Sequence, residues 1–210
     1  MKHKELSLFI MNNTLNTYLP EASISLVMDI LNKYPHQLKI VNKRATKHGD
    51  FKLTKDRKYQ ITINNSLNPY QFLLTLIHEV AHLVTHIKHQ RVKPHGKEWK
   101  QNFQYLMLPF LDPEIFPNEL LPHLANYLKN PKASSDSDVK LSFAMKQFSE
   151  KSDKNFIFEV TLGEKFEYKK KVYLRGNKRR TRYECLETQS KRIYLFNQNA
   201  EVVTLKSNNE

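Results

Sequence analysis

The sequence predicts an α+β fold: a compact domain with a small antiparallel sheet and a long buried helix, followed by a small β-rich unit. Three observations predict it. Between residues 22 and 64 the apolar period changes from helical to alternating. An apolar helical pattern then runs from residue 68 to about 88. From residue 153 onward the chain consists of short, aromatic-rich strand-like runs. With 210 residues, 40% of them hydrophobic, the chain can bury a real core in one ordinary domain plus an appendage.

Each element has a local reason. In "ASISLVMDILNKY" (22–34), Ile24, Val27, Met28 and Leu31 fall at helical spacing, and Pro35 stops the helix. "LKIV", "FKLT" and "YQITI" read as three antiparallel strands, with turns at Gly49-Asp50 and Lys55-Asp56. Asn68 suits a helix cap, Pro69 the first helical position and Gln71 a capping box. Apolar residues then cover most of the circumference to Lys88, the mark of a buried helix. Gly96 to about Met107 reads as another helix, and five prolines between 109 and 131 punctuate short helices and turns. The domain expectation is residues 1–130 as the first domain, 131–152 as a flexible linker containing "NPKASSDSD", and 153–210 as a basic β-rich unit.

Composition narrows the function. The one cysteine, Cys185, excludes an intrachain disulfide framework and any cluster of thiolate zinc ligands, and fits a reducing compartment. The apolar run "LSLFIM" (6–11) is too short for a signal-peptide core or a membrane span, so the expectation is a soluble cytoplasmic protein with no membrane partner. A net charge of +13 points to polyanionic partners, against the plainer reading of a solubilising surface.

Residues 76–99, "LIHEVAHLVTHIKHQRVKPHGKEW", hold five of the nine histidines. His78 and His82 bracket Glu79 as H-E-x-x-H, and residues four apart stack on one helix face. Both imidazoles can therefore reach one metal ion, with Glu79 placed as general base rather than ligand. His86 lies two turns, about 12 Å, from His78 and cannot reach the same ion. His89 faces away; both read as exposed polar residues near a helix end. Only His95 returns after a chain reversal, where Gly96 permits close backbone approach. Three histidines, an open position and a carboxylate describe a catalytic centre holding one Zn2+ rather than a structural one. Trp99 reads as packing one helix on the other, and Glu98 as solvent-facing, with a hydrogen bond to a ligand as its alternative. The residue that stabilises an oxyanion stays unassigned.

H-E-V-A-H, twelve intervening residues and "HGKEW" resemble the SprT-like metallopeptidase domain, whose eukaryotic relative is Spartan. The resemblance covers about residues 20–110. It implies a compact, minigluzincin-like zincin, with His78, His82 and His95 as zinc ligands, Glu79 as the catalytic glutamate, and proteolysis of DNA-bound or DNA-crosslinked protein. Many SprT-like proteins carry a C-terminal zinc ribbon; one cysteine cannot build it.

In the C-terminal unit, two hairpins with aromatic faces are expected, and Lys165–Arg192 carries eleven Lys or Arg against three Glu. "RGNKRRTRY" sets Arg175, Lys178, Arg179, Arg180 and Arg182 around a glycine turn, a pattern for phosphate and base contacts with DNA, single-stranded DNA included. The plainer alternative is a charged edge hairpin that resists aggregation. Two other functions stay open: a nucleic-acid-binding protein with a structural or vestigial zinc site, and a metal-assisted hydrolase of a non-peptide bond.

Overall fold

The computed structural model describes residues 15–44, 46–89, 91–149 and 153–205. The apolar run at 6–11 lies outside them. The chain divides into two compact units after Ser149.

The first unit opens with helix α1 (Ile24–Leu31), which buries Val27, Met28, Ile30 and Leu31. Strands β1 (Gln37–Val41), β2 (Gly49–Leu53) and β3 (Tyr59–Asn64) form a three-stranded sheet in the order β1-β3-β2. The sheet is mixed rather than antiparallel, because β1 runs parallel to β3, with Leu38 opposite Ile61 and Ile40 opposite Ile63. The physical reason is the connection 42–48, which carries the chain past β3 to its far side. Arg44 fixes that path, donating from Nε to Asn64 Oδ1 at 2.8 Å and from Nη1 to Thr62 Oγ1 at 2.9 Å. The strand with Ile61, Thr62 and Ile63 takes the middle place, where both faces are covered. Gly49-Asp50, expected as a turn, instead begins β2. The turn at Lys55-Asp56 is present, closed by the Arg57 amide on the Thr54 carbonyl at 3.0 Å.

Helix α2 (Pro69–Lys88) is the spine of the unit. Asn68 Oδ1 accepts from the Gln71 amide at 2.9 Å, satisfying an otherwise unpaired first-turn donor. Phe72, Leu73, Leu76, Ile77, Val80, Ala81 and Leu83 are completely buried around it. Helix α3 (Lys97–Met107) packs on α2 through Trp99, Phe103 and Met107. Asn102 Nδ2 donates to Thr85 Oγ1 at 2.9 Å, joining the two helices below the histidines. Helix α4 (Leu121–Leu128) follows a proline-punctuated stretch.

The expected linker at 131–152 is not all linker. Helix α5 (Val139–Lys146) lies within it, capped by Asp138 and burying Leu141, Ala144 and Met145 in the first unit's core. Its serine-rich flank and the off-face apolar residues Val139 and Phe143 mask the helical spacing of Leu141, Ala144 and Met145.

The second unit is a six-stranded sheet in the order β4-β9-β5-β6-β7-β8. Its strands are β4 (Lys154–Phe156), β5 (Lys165–Tyr168), β6 (Lys171–Arg179), β7 (Arg182–Glu187), β8 (Ile193–Asn197) and β9 (Glu201–Leu205). Strand β9 goes beyond the two expected hairpins and joins β4 to β5. Phe166, Tyr173, Tyr183, Cys185, Phe196 and Val202 form the core of this unit. Among the described residues no helix is long and apolar enough to cross a membrane.

Candidate metal centre

Helix α2 presents His78 and His82 on one face, and the turn before α3 returns His95 to them. The Gly96 amide donates to the Lys93 carbonyl at 2.9 Å, and a β-carbon on Gly96 would stand 2.8 Å from that same oxygen. Only glycine permits so tight a turn without displacing the backbone. His95 itself holds a left-handed backbone, φ +57°, which points its ring back over α2.

The three Nε2 atoms converge: His78–His82 3.2 Å, His78–His95 3.2 Å and His82–His95 2.9 Å. Hydrogen bonding cannot satisfy this triangle. Each neutral Nε2 is either a donor or an acceptor, so at least two of the three are of the same kind and oppose each other at contact distance. A cation between them removes the conflict. Tetrahedral nitrogen ligands at about 2.0–2.1 Å from an ion lie about 3.3 Å apart, close to the spacing seen here. The three histidines can thus hold a metal ion. Burial and mutual repulsion keep them neutral, the state a ligand needs: His78 is pushed down to about 2 and His82 to about 4, each chiefly by burial, and His95 is lowered by burial.

Glu79 is buried, 7% exposed. Burial, then the nearby Asp50 carboxylate, pushes it up to about 8, against a hydrogen bond from the Phe51 amide and the charges of Arg44 and Lys47. Strand β2 therefore shapes the surroundings of the carboxylate on α2, and Lys47 in turn holds Asp50 at 2.8 Å. Gly49, Asp50 and Arg44 were missed as site residues. They lie about thirty residues upstream, in a segment that reads only as turn and strand.

Trp99 does more than join two helices. Its ring centroid lies 4.6 Å from that of His78, 5.3 Å from His82 and 4.7 Å from His95, and it stacks on Phe103 at 5.0 Å. Among the described residues no hydrogen bond joins Glu98 to a histidine. His86 and His89 stay outside the cluster and exposed, with His86 against Phe51 and Tyr59.

Residues 23–110, which hold all of this, match the model of the SprT-like family. Over that span the chain is similar to the SprT-like family. It is also similar to Protein SprT of Vibrio parahaemolyticus serotype O3:K6 (strain RIMD 2210633), 53% identical over 45 residues, which are 20% of this chain and 27% of that protein. The chain thus spans about a quarter of the length of the curated relative it matches. No solved structure matches it.

Outside the SprT-like region, the five basic residues singled out in the sequence divide by environment. The Arg175 guanidinium lies 4.4 Å, and Lys178 Nζ 5.8 Å, from the centre of the Tyr183 ring, and Arg179 Nε pairs with Glu184 at 2.5 Å. Arg180 and Arg182 are exposed at the β6–β7 turn. Gly176 is not in that turn. It sits where the register shifts between Arg175 and Lys178, and a β-carbon there would meet the Glu184 carbonyl at 2.6 Å. Cys185 is buried, and burial pushes its thiol up to about 11.

Proposed function

We propose that the chain is a zinc-dependent metallopeptidase that acts on DNA-associated or DNA-crosslinked protein. The convergence of three neutral imidazoles beside a buried glutamate supports this reading above all else. His78, His82 and His95 would hold one Zn2+, a donor set suited to it, and a histidine-only site of three ligands leaves a coordination position for substrate or water. Bound there, zinc supplies Lewis-acid polarisation and a water acidic enough to act as nucleophile near neutral pH. The protein's own part is proton traffic: Glu79 takes a proton from the nucleophile and returns it to the leaving amine. A carboxyl whose proton affinity lies near neutrality serves both steps. The reading makes the first unit a compact zincin of the minigluzincin kind, in keeping with a long histidine-bearing helix against a three-stranded sheet.

The test is cleavage of a protein crosslinked to single-stranded DNA by the wild type and by Glu79→Gln, with zinc content measured for both. Cleavage by the wild type alone, with equal zinc in both, supports the assignment. Equal cleavage by Glu79→Gln removes Glu79 from the mechanism.

A further inference from the structure

Beside the histidine cluster lies a cleft of about 410 Å³ between α3 and the end of α4. His95 forms part of its wall, with Lys93, Lys97, Lys100 and Lys129, and Gln101 and Gln104 between them. The pattern comes from helix geometry: Lys97, Lys100, Gln101 and Gln104 fall at i, i+3, i+4 and i+7 and share one face of α3. The glutamine and asparagine contacts hold the floor in place. Gln104 Nε2 donates to the Leu128 carbonyl at 2.7 Å, and Lys100 Nζ donates to Asn130 Oδ1 at 2.6 Å. Among the described residues no carboxylate pairs with any of the four lysines. Glu98, the acidic residue of α3's first turn, does not line the cleft.

Four unneutralised cations in one small cleft create a strong local field for an anion. A single acidic side chain brings one charge and is better matched by an arginine fork than by several lysines. A run of phosphodiesters brings one charge per nucleotide and is met well by separate point charges. Apart from the His95 imidazole, the lining has no aromatic ring on which unpaired bases would stack. We propose that this cleft binds the phosphate backbone of a nucleic acid, so that the strand passes directly beside the metal centre in the first unit. The location differs from the β6–β7 hairpin, where Arg175, Lys178 and Arg179 already have partners within the unit. The proposal rests on the peptidase reading only for its purpose: a strand held here would bring protein attached to it to the histidines.

Binding is therefore measured without turnover. The full chain carrying Glu79→Gln is titrated into a labelled 20-nucleotide single strand at several salt concentrations, with and without Lys93→Gln, Lys97→Gln and Lys129→Gln together. Removing three phosphate contacts should weaken binding more than about tenfold near 0.1 M salt and flatten the log–log salt slope by about 2, at about 0.7 per phosphate. The matching triple Lys→Arg variant, which keeps the charge, should bind like the parent. An unchanged affinity and slope in the Lys→Gln protein, or no binding by the parent, overturns the proposal. So does intact DNA binding combined with lost cleavage of acidic peptides when Glu79 is restored, which would make the cleft a peptide subsite. Failure of the peptidase assay alone leaves the binding result standing.

Discussion

Gly49 leaves the space that the Glu79 carboxylate occupies: a β-carbon on Gly49 would stand 2.7 Å from Glu79 Oε1 and 2.8 Å from Thr75 Cγ2. The neighbours are a helix side chain and a buried threonine methyl, so neither can move aside without disturbing α2. Gly49→Ala should therefore shift the carboxylate while leaving the three histidines in place. We expect turnover to fall about a hundredfold, the scale on which a misplacement of about 1 Å acts, with zinc affinity close to wild type. Steady-state kinetics on a protein substrate together with metal analysis checks this; unaltered kcat would show that Glu79 has room to spare.

The metal-free protein should have a stability maximum near pH 6.5. His78 and His82 lie below their ordinary values, at about 2 and about 4, so the folded state binds fewer protons than the unfolded chain between those values and 6.5. Their contribution is present above pH 6.5 and is lost as the pH falls. Glu79 is raised to about 8 and works the other way: its contribution is present below pH 4.5 and is lost as the pH rises through 8. From pH 4.5 to 6.5 two histidines outweigh one glutamate, and stability climbs. Above 6.5 the glutamate acts alone, and stability falls by up to about 1.4 kcal/mol per pH unit. Urea denaturation in chelator across pH 4–9 measures the curve. Glu79→Gln should flatten the alkaline limb and steepen the climb between pH 4.5 and 6.5, and an unchanged alkaline limb would mean another group causes the fall.

The site was far easier to read in the sequence than its surroundings. Ligand spacing along one helix is a local property, so His78 and His82 could be paired by period alone, and His86 rejected by rise per residue. His95 followed because only a reversed chain can return. Strand order is not local. The parallel pairing of β1 with β3 depends on a crossover fixed by Arg44, whose partners Thr62 and Asn64 lie some twenty residues ahead. For the same reason Gly49 looked like a turn: its meaning comes from Glu79, thirty residues on. Helix α5 escaped because Val139 and Phe143 fall off the face formed by Leu141, Ala144 and Met145 and blur its helical period, and because it follows a serine-rich stretch.

Asn68 joins two parts of the first unit. Its Oδ1 caps α2 through the Gln71 amide, and its Nδ2 donates to the Met145 carbonyl and to Ser149 Oγ, each at 2.9 Å. Asn68→Ala removes the cap, about 1 kcal/mol, and leaves the buried Met145 carbonyl without this donor, for a total of about 2–3 kcal/mol by chemical denaturation. Asn68→Asp separates the two roles. It keeps the cap but sets an acceptor against the Met145 carbonyl, so amide exchange in residues 139–146 should quicken while that of α2 holds. Equal acceleration in both helices would show that the two contacts are not separable.

Trp99 provides a built-in reporter, because it is the one tryptophan in the chain and its ring lies within 5.3 Å of all three imidazole centroids. Zinc bound among the three Nε2 atoms would place a divalent charge beside the indole, so emission should change as metal is added to the stripped protein. The change should saturate at one equivalent. His95→Ala takes away the ligand held in a left-handed backbone after the chain reversal. Since losing a mere supporting hydrogen bond costs about 10–100-fold in metal affinity, losing a ligand should cost more than about a hundredfold. His86→Ala, which alters a ring packed on Phe51 and Tyr59, should leave the titration unchanged. If His86→Ala weakened zinc binding as much as His95→Ala, the third ligand would have to be reassigned.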